Sequence, residues 1–378
     1  MGEERNQFFK KLEKNFTYKP VTRVKIGNKW VGDGERTFII AEVGANHRGK
    51  IENALRFIKL AAQEGADAVK FQHLTHDKIA ADTPVTTPWK GKSGWKTLAE
   101  FYKPSELPYE WTDKLIKHAK KHKIIFLSTP FDKEAVDILD KANVPAFKVA
   151  SYEMTDDILL TYIAKKKKPI ILSTGMADLE EVSRAVRIIQ KAENNNIVVL
   201  HCVSIYPPKS FADLNLRAIQ TLKEALKIPV GYSDHSAPPW IAAPLAAVTL
   251  GACAIEKHFT DTQTGGSHDD LNSLEVNNFK RMVDEIRLVE KAISSNGIKQ
   301  PVVYPDHDGD EIYDRWARRS IYAAINIPKG AKLTEEMIIT LRPWGGIEPK
   351  HFELILGKKV VRNIKARSPI TWNDLLEG

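Results

Sequence analysis

The stretch Gly231–Phe259, GYSDHSAPPWIAAPLAAVTLGACAIEKHF, decides how the chain is read. It divides into a short strand (Pro229–Asp234), a polar turn, an apolar helix (Pro239–Leu250) and a second strand (Ala254–Phe259). A strand–helix–strand unit makes two parallel strands, usually neighbours about 4.8 Å apart. His235 ends the first strand and His258 the second, so two imidazoles at the same end of neighbouring strands can converge on one point. Ser233 and His235 share a strand face, because side chains alternate with period two. The spacing accommodates a two-histidine metal site beside a hydroxyl, or two unrelated histidines at a rim.

The same rhythm extends toward the N-terminus. Strands are predicted at Thr37–Gly44, Ala68–Gln72, Ile124–Pro130, Ala146–Ser151, Pro169–Gly175 and Ile197–Val203. Amphipathic helices are predicted at Glu52–Gln63 (closed by Gly65), Tyr109–Lys121, Lys133–Lys141, Asp156–Lys165, Leu179–Ala192 and Leu216–Leu226. With the opening stretch and a last helix at Glu275–Ala292, the count is that of an α/β chain folded as a (β/α)₈ TIM barrel. The strand segments are apolar on both faces, as parallel strands under helices must be. No glycine-rich dinucleotide fingerprint follows the first strand, which argues against an open doubly wound sheet.

Around this barrel, taken as residues 23–293, three further segments are distinguished. Residues 1–22 read as a leader, and Val24–Val31 as a small hairpin turning at Gly27-Asn28. A polar insertion carries Trp89 and Trp95. Residues 294–314, SSNGIKQPVVYPDHDGDEIYD, read as a linker, and residues 315–378 as a small β-rich domain with strands at Ser320–Ile325 and Lys359–Ile364. A module of that size is marginal alone.

Composition narrows the function classes. The 378 residues are 43% hydrophobic and 28% charged, which suits a large core and excludes a disordered chain. A net charge of +8 suits anionic partners, although Lys165–Lys168 reads as a solvated helix end. Cys202 and Cys253 are the only cysteines and lie in apolar segments, as buried thiols of a reducing compartment do. The N-terminal MGEERNQFFKKLEKN has no hydrophobic signal core, and the most apolar run, Trp240–Ile255, is too short to span a bilayer. A soluble, cytoplasmic protein with no nucleic-acid or membrane partner is expected.

Barrel active sites lie at the carboxyl ends of the strands. Those ends carry Glu42 with Asn46 and His47, Lys70 with Gln72, Ser128 and Thr129, Lys148 with Ser151, Ser173 and Thr174, Ser204 with Tyr206, Ser233 with His235, and His258. Lysines and hydroxyls together bind phosphate and carboxylate. The histidines suit Mn²⁺, Fe²⁺, Co²⁺ or Zn²⁺, with water and substrate oxygens completing the shell. Glu42 is a candidate proton carrier or, alternatively, a salt-bridge partner of Lys70. Lys148 or Lys257 is a candidate Schiff-base nucleophile, although Lys257 has parity opposite to His258 and faces the helices.

The segments FIIAEVGANHRG, AVKFQ, LSTPF, FKVASYE, ILSTGMA, HCVSIYP, GYSDHS and IEKHF, in this order, resemble the sialic acid synthase family. The trailing RRSIYAAINIPKGAKLT and LRPWGGIEPKHFELILGKKV resemble its C-terminal antifreeze-like (SAF) domain. The resemblance implies condensation of phosphoenolpyruvate with an N-acetylated amino sugar to a nine-carbon 2-keto sugar acid and phosphate. It also implies a divalent metal, usually Mn²⁺ with Mg²⁺ or Co²⁺ as alternatives, and a domain-swapped homodimer. By motif, Glu42 matches the catalytic glutamate. Lys70, Thr129, Lys148, Ser151, Ser173 and Ser233 match phosphoenolpyruvate contacts, and Ser204 stands where bacterial members often carry an asparagine phosphate contact. His235 and His258 match the metal ligands. Tyr206 and Asp269 match amino-sugar contacts, and Arg342 matches an arginine sent from the partner's small domain. Asp270 follows Asp269 where animal-type members have histidine. Three other classes stay open at this level: a synthase acting on a sugar phosphate, a metal-free Schiff-base aldolase, and a nucleic-acid- or ice-binding protein.

Overall fold

In the computed structural model, residues 20–84, 96–264, 266–267, 269–294 and 317–376 are described. The leader up to residue 19, Trp89 and Trp95 of the polar insertion, the linker from residue 295 to 314, and residues 315–316 of the small domain lie outside them. The chain divides into two compact units, Met1–Ser295 and Asn296–Gly378.

Among the described residues, the first element of this unit is the hairpin of β1 (Arg23–Ile26) and β2 (Lys29–Gly32). Gly27 sits at φ +60, a conformation that costs a residue without a Cβ nothing. Val24, Ile26 and Val31 pack with Phe38, Ile40, Ala68 and Val198 near the starts of the barrel strands. The hairpin thus closes the end of the barrel away from the polar rim.

Eight parallel strands follow: β3 (Phe38–Glu42), β4 (Ala68–His73), β5 (Ile125–Pro130), β6 (Phe147–Val149), β7 (Ile170–Ser173), β8 (Ile197–Cys202), β9 (Val230–Asp234) and β10 (Ala254–Thr260). Their order is β5-β4-β3-β10-β9-β8-β7-β6, and β5 lies beside β6, so the sheet curls into a (β/α)₈ TIM barrel. A short strand, β11 (Leu274–Glu275), adds to the end of β10. Register sets the height of each rim residue: Glu42 pairs with both His258 and Lys70, and Gln72 pairs with Thr129.

The helices form for local reasons and are held by tertiary ones. The helix Leu179–Lys191 starts at a capping box, Asp178 with Glu181, and buries Val182, Ala185, Val186 and Ile189. That i, i+3, i+4, i+7 spacing puts them on one face, each large side chain contributing about 1.5–3 kcal/mol. Val186→Asp would place an unpaired charge in that face. The helix Ala242–Thr249 shows no such stripe, being apolar all round.

The second unit carries β12 (Ser320–Ala323) paired antiparallel with β13 (Ile338–Leu341), over a core that includes Ile321, Leu333, Ile347, Val360 and Ile370. The strand expected at Lys359–Ile364 is not one. Lys359 bridges Lys332, Val360 bridges Leu375 and Ile364 bridges Ile327, so the segment touches three partners singly and no ladder propagates. Its two buried residues, Val360 and Ile364, lie four apart across a bend and do not alternate as a strand's would.

Candidate active site at the barrel rim

The rim is built around four buried, alternating charges. Lys70 Nζ lies 2.7 Å from Glu42 Oε2, 3.5 Å from Glu256 Oε1 and 3.3 Å from Thr129 Oγ1. Glu42 Oε1 accepts from Gln72 Nε2 at 2.7 Å. Lys148 Nζ donates to Ser173 Oγ at 2.7 Å and to the Val149 carbonyl at 3.0 Å, while Ser233 Oγ donates to Glu256 Oε1 at 3.3 Å. Ser151 Oγ accepts the Gly175 N–H at 2.9 Å. Glu42 is 1% exposed and is paired with Lys70, whereas Lys148, 2% exposed, is held by hydrogen bonds and has no ion pair among the described residues.

The two carboxylates are pushed apart. Burial raises the Glu42 carboxyl above the ordinary range, and Lys70 only partly offsets it. Burial acts on Glu256 in the same sense, but Lys148 and Lys70 outweigh it and hold Glu256 low. Glu256 is thus held toward its ionised form beside the lysines, while the Glu42 carboxyl has the higher proton affinity of the two. The salt bridge expected between Glu42 and Lys70 is present. Burial lowers Lys148 from the usual ammonium range.

Next to this cradle, the His235 and His258 rings are 5.6 Å apart between centroids. Tyr206 lies over them, 4.0 Å from His235 and 5.8 Å from His258. His235 Nδ1 donates to the Val203 carbonyl at 2.8 Å, leaving its other nitrogen for a ligand, as metal-binding imidazoles are commonly oriented. Burial pushes His258 down to about 4, so it is neutral at pH 7, and its buried Nδ1 has no hydrogen-bond partner among the described residues. Two oriented imidazoles, one with an unspent donor atom, fit a divalent ion of the borderline kind. A second group, His76, Asp77 and Glu106, brings its ligand atoms within 4.8 Å of one another, but Asp77 is exposed and His76 Nδ1 is engaged with Glu106.

Asp269 Oδ2 accepts the Ala45 N–H at 2.8 Å, and Oδ1 stands 3.8 Å from His258 Nδ1, which puts Asp269 beside the histidines. Its neighbour Asp270 is fully buried and bonded to Arg48 and Thr260 at 2.9 Å each, so it shapes the loop and does not face a ligand. Ser204 approaches the cradle through Gly175: a Cβ there would stand 2.0 Å from Ser204 Oγ. Lys257 is excluded as a nucleophile of this rim, being paired with Asp234 on the outer face. Arg342 belongs to the second unit, where it is exposed and precedes a cis proline.

Comparison with known proteins matches residues 57–298 to the NeuB family and residues 318–376 to the SAF domain. The chain belongs to the NeuB family. Over 354 residues it is 38% identical to a pseudaminic acid synthase of Campylobacter jejuni, covering 93% of this chain and 99% of that one. Over 335 residues it is 39% identical to an N,N'-diacetyllegionaminic acid synthase of the same organism, covering 88% and 98%. Among solved structures, an N-acetylneuraminic acid synthetase from Leptospira borgpetersenii aligns with a TM-score of 0.66 at 34% identity, covering 74% of this chain and 93% of that one.

Two acidic residues of this NeuB-family rim escaped the sequence reading. Glu256 shares the inward parity of His258, and the period-two rule already applied to Lys257 places it there. Glu153 follows the fourth barrel strand in a short 3₁₀ turn; burial pushes it up to about 7, and its Oε2 has no hydrogen-bond partner among the described residues. Nothing periodic marks it.

Proposed function

We propose that the chain is a transferase that condenses phosphoenolpyruvate with an N-acetylated amino hexose, N-acetylmannosamine or a related diamino sugar, to give a nonulosonic acid and phosphate. The observation that carries this reading is a lysine–hydroxyl cradle joined at one rim to a carboxylate whose proton affinity burial has raised. The names of the C. jejuni relatives support the product class.

Lys70 and Lys148, with Thr129, Ser151, Ser173, Ser204 and Ser233, are assigned to the carboxylate and phosphate of phosphoenolpyruvate. Tyr206, Asp269 and Arg342 are assigned to the amino sugar. His235 and His258 are assigned to a divalent ion, Mn²⁺ first, which when bound polarises the sugar's aldehyde oxygen. The cradle holds carbon 3 of phosphoenolpyruvate against the aldehyde carbon, and orientation supplies much of the rate. The new carbon–carbon bond leaves carbon 2 electron-deficient. Water adds there and Glu42 takes one of its protons, matching the proton that the former aldehyde oxygen gains; the carbon 2–oxygen bond to phosphate then breaks, and the carbon 2 hydroxyl gives its proton to the departing phosphate as the keto group forms.

A reciprocal homodimer completes the reading, each small domain covering the partner's rim. Its support is the exposure of Tyr152, Met176, Ile205, Trp240 and Leu271 on the loops after the strands, apolar surface that a partner would cover. The deciding experiment measures phosphate release from phosphoenolpyruvate with N-acetylmannosamine and the two diamino precursors, before and after chelation. Activity with one sugar, abolished by chelator and restored by Mn²⁺, is expected. No release with any sugar overturns the reaction, and undiminished turnover after chelation overturns the metal. A borohydride-trapped adduct on Lys148 would point instead to Schiff-base chemistry.

A further inference from the structure

On the outer face of β9 and β10, behind the rim histidines, Asp234 and Lys257 stand at paired register positions and are fully buried. Asp234 Oδ2 accepts from Lys257 Nζ at 2.6 Å and from Ser236 Oγ at 2.8 Å. Its Oδ1 accepts from the Ser236 N–H at 3.0 Å and from the Tyr232 hydroxyl at 2.9 Å. Lys257 Nζ also donates to the Ser236 carbonyl at 2.8 Å. The carboxylate and the ammonium therefore grip the same residue, and that residue follows His235.

The ladder explains why such a grip is needed. Lys257↔Asp234 is the last pair between β9 and β10, and Cys202↔Ser233 the last between β8 and β9. His235 lies just past both, where no strand pairing fixes its backbone. Asp234 and Ser236 enclose it in an Asx turn, and Lys257 pins the turn to β10 one residue before His258. One ion pair thus ties the backbone of one histidine to the strand of the other.

We propose that the Asp234–Lys257 pair is a positioning device that sets the separation and orientation of His235 and His258 for their ion; this rests on the metal assignment above. Stability alone is a poor account of the pair. Well-packed apolar residues in place of a buried ion pair are often neutral or stabilising. Function needs more, since ligands must be held within about 0.5 Å of their working positions. Removing a group that orients a metal-binding histidine typically costs about 10–100-fold in metal affinity.

The test separates folding from positioning. Asp234→Leu combined with Lys257→Met removes both charges together and leaves neither unpaired. Mn²⁺ binding to the purified full chain is followed by the electron paramagnetic resonance of free Mn²⁺, and thermal unfolding is followed without metal. The expected result is a chain that still folds, with a metal-free Tm lowered by the lost partners of Tyr232 and Ser236, Mn²⁺ binding weaker by about 10–100-fold at a temperature well below that Tm, and a lower kcat with little change in the KM for phosphoenolpyruvate. Ser236→Ala removes one anchoring bond and no charge, so it guards against misfolding of the double variant. It should weaken Mn²⁺ binding by about 2–10-fold, one hydrogen bond's worth. Parental Mn²⁺ affinity in either folded variant overturns the proposal. A parent that binds no Mn²⁺ overturns the metal assignment, and this inference with it.

Discussion

Gly175 offers a test of the cradle by a single methyl group. It stands just past the end of β7, and its φ lies outside the left-handed region, so alanine is acceptable to the backbone. The added Cβ would lie 2.0 Å from Ser204 Oγ, 3.0 Å from Ser204 Cβ and 2.9 Å from Ser151 Oγ. The Ser204 hydroxyl can swing aside, but its Cβ must give way by a few tenths of an ångström. Ser151 has less freedom, because its Oγ is held by the amide of Gly175 itself at 2.9 Å. Gly175→Ala therefore displaces one or both hydroxyls that are assigned to an anionic substrate. A hydrogen bond to a charged group contributes about 1.5–3 kcal/mol, so losing one should raise the KM for phosphoenolpyruvate roughly 10- to 100-fold. Gly175 and Ser151 are buried, so the clash should also cost the fold about 1–3 kcal/mol, and KM is read well below the variant's melting temperature. Phosphate release at saturating sugar, with phosphoenolpyruvate varied, reads the first quantity, and a thermal melt reads the second. Ser204→Gly supplies the control: it removes the 2.0 Å and 3.0 Å contacts, so Gly175→Ala should do less additional harm in that background. An unchanged KM in Gly175→Ala, or effects that simply multiply in the double variant, would refute the steric argument.

Glu42→Gln keeps shape and hydrogen bonding but removes the base, so kcat should fall by about 10²-fold or more with little change in the KM for phosphoenolpyruvate. A large rise in KM with kcat intact would assign Glu42 to binding alone. His73 is buried between Ser128 Oγ at 2.6 Å and Thr112 Oγ1 at 2.8 Å, and burial pushes it down to about 3. Its folded pKa lies below the unfolded value of about 6.5, so the unfolded chain takes up protons first and stability falls as pH drops; between pH 7 and 5 this group alone should cost about 2 kcal/mol. Urea unfolding at both pH values should show that loss in the parent and a smaller one in His73→Gln; equal losses would count against it. Finally, mixing inactive Glu42→Gln and Arg342→Ala proteins after subunit exchange should restore activity in mixed dimers. Efficient exchange without recovery would mean that Arg342 does not act across the dimer.

What the sequence determined by itself was the set of local patterns. Apolar runs that tolerate burial on both faces, alternating with striped helices, specify a parallel barrel, and they put the polar ends of the strands at one rim. His235 and His258 could be paired from spacing because one strand–helix–strand unit brings its two strand ends side by side. The parity rule even separated Lys257 from His258, and carried one residue further it would have found Glu256. Only the tertiary structure decided the electrostatics. Lys70 meets Glu256 because the sheet brings β4 and β10 to either side of β3, a relation between distant segments that no local period records. Glu42 and Glu256 look alike in a sequence, yet differing lysine contacts send their proton affinities in opposite directions. The clamp on Ser236 is likewise invisible in the string GYSDHS, because one of its arms arrives from the neighbouring strand. Periodicity tells which way a side chain points, whereas desolvation and charge pairing depend on everything else that points to the same place.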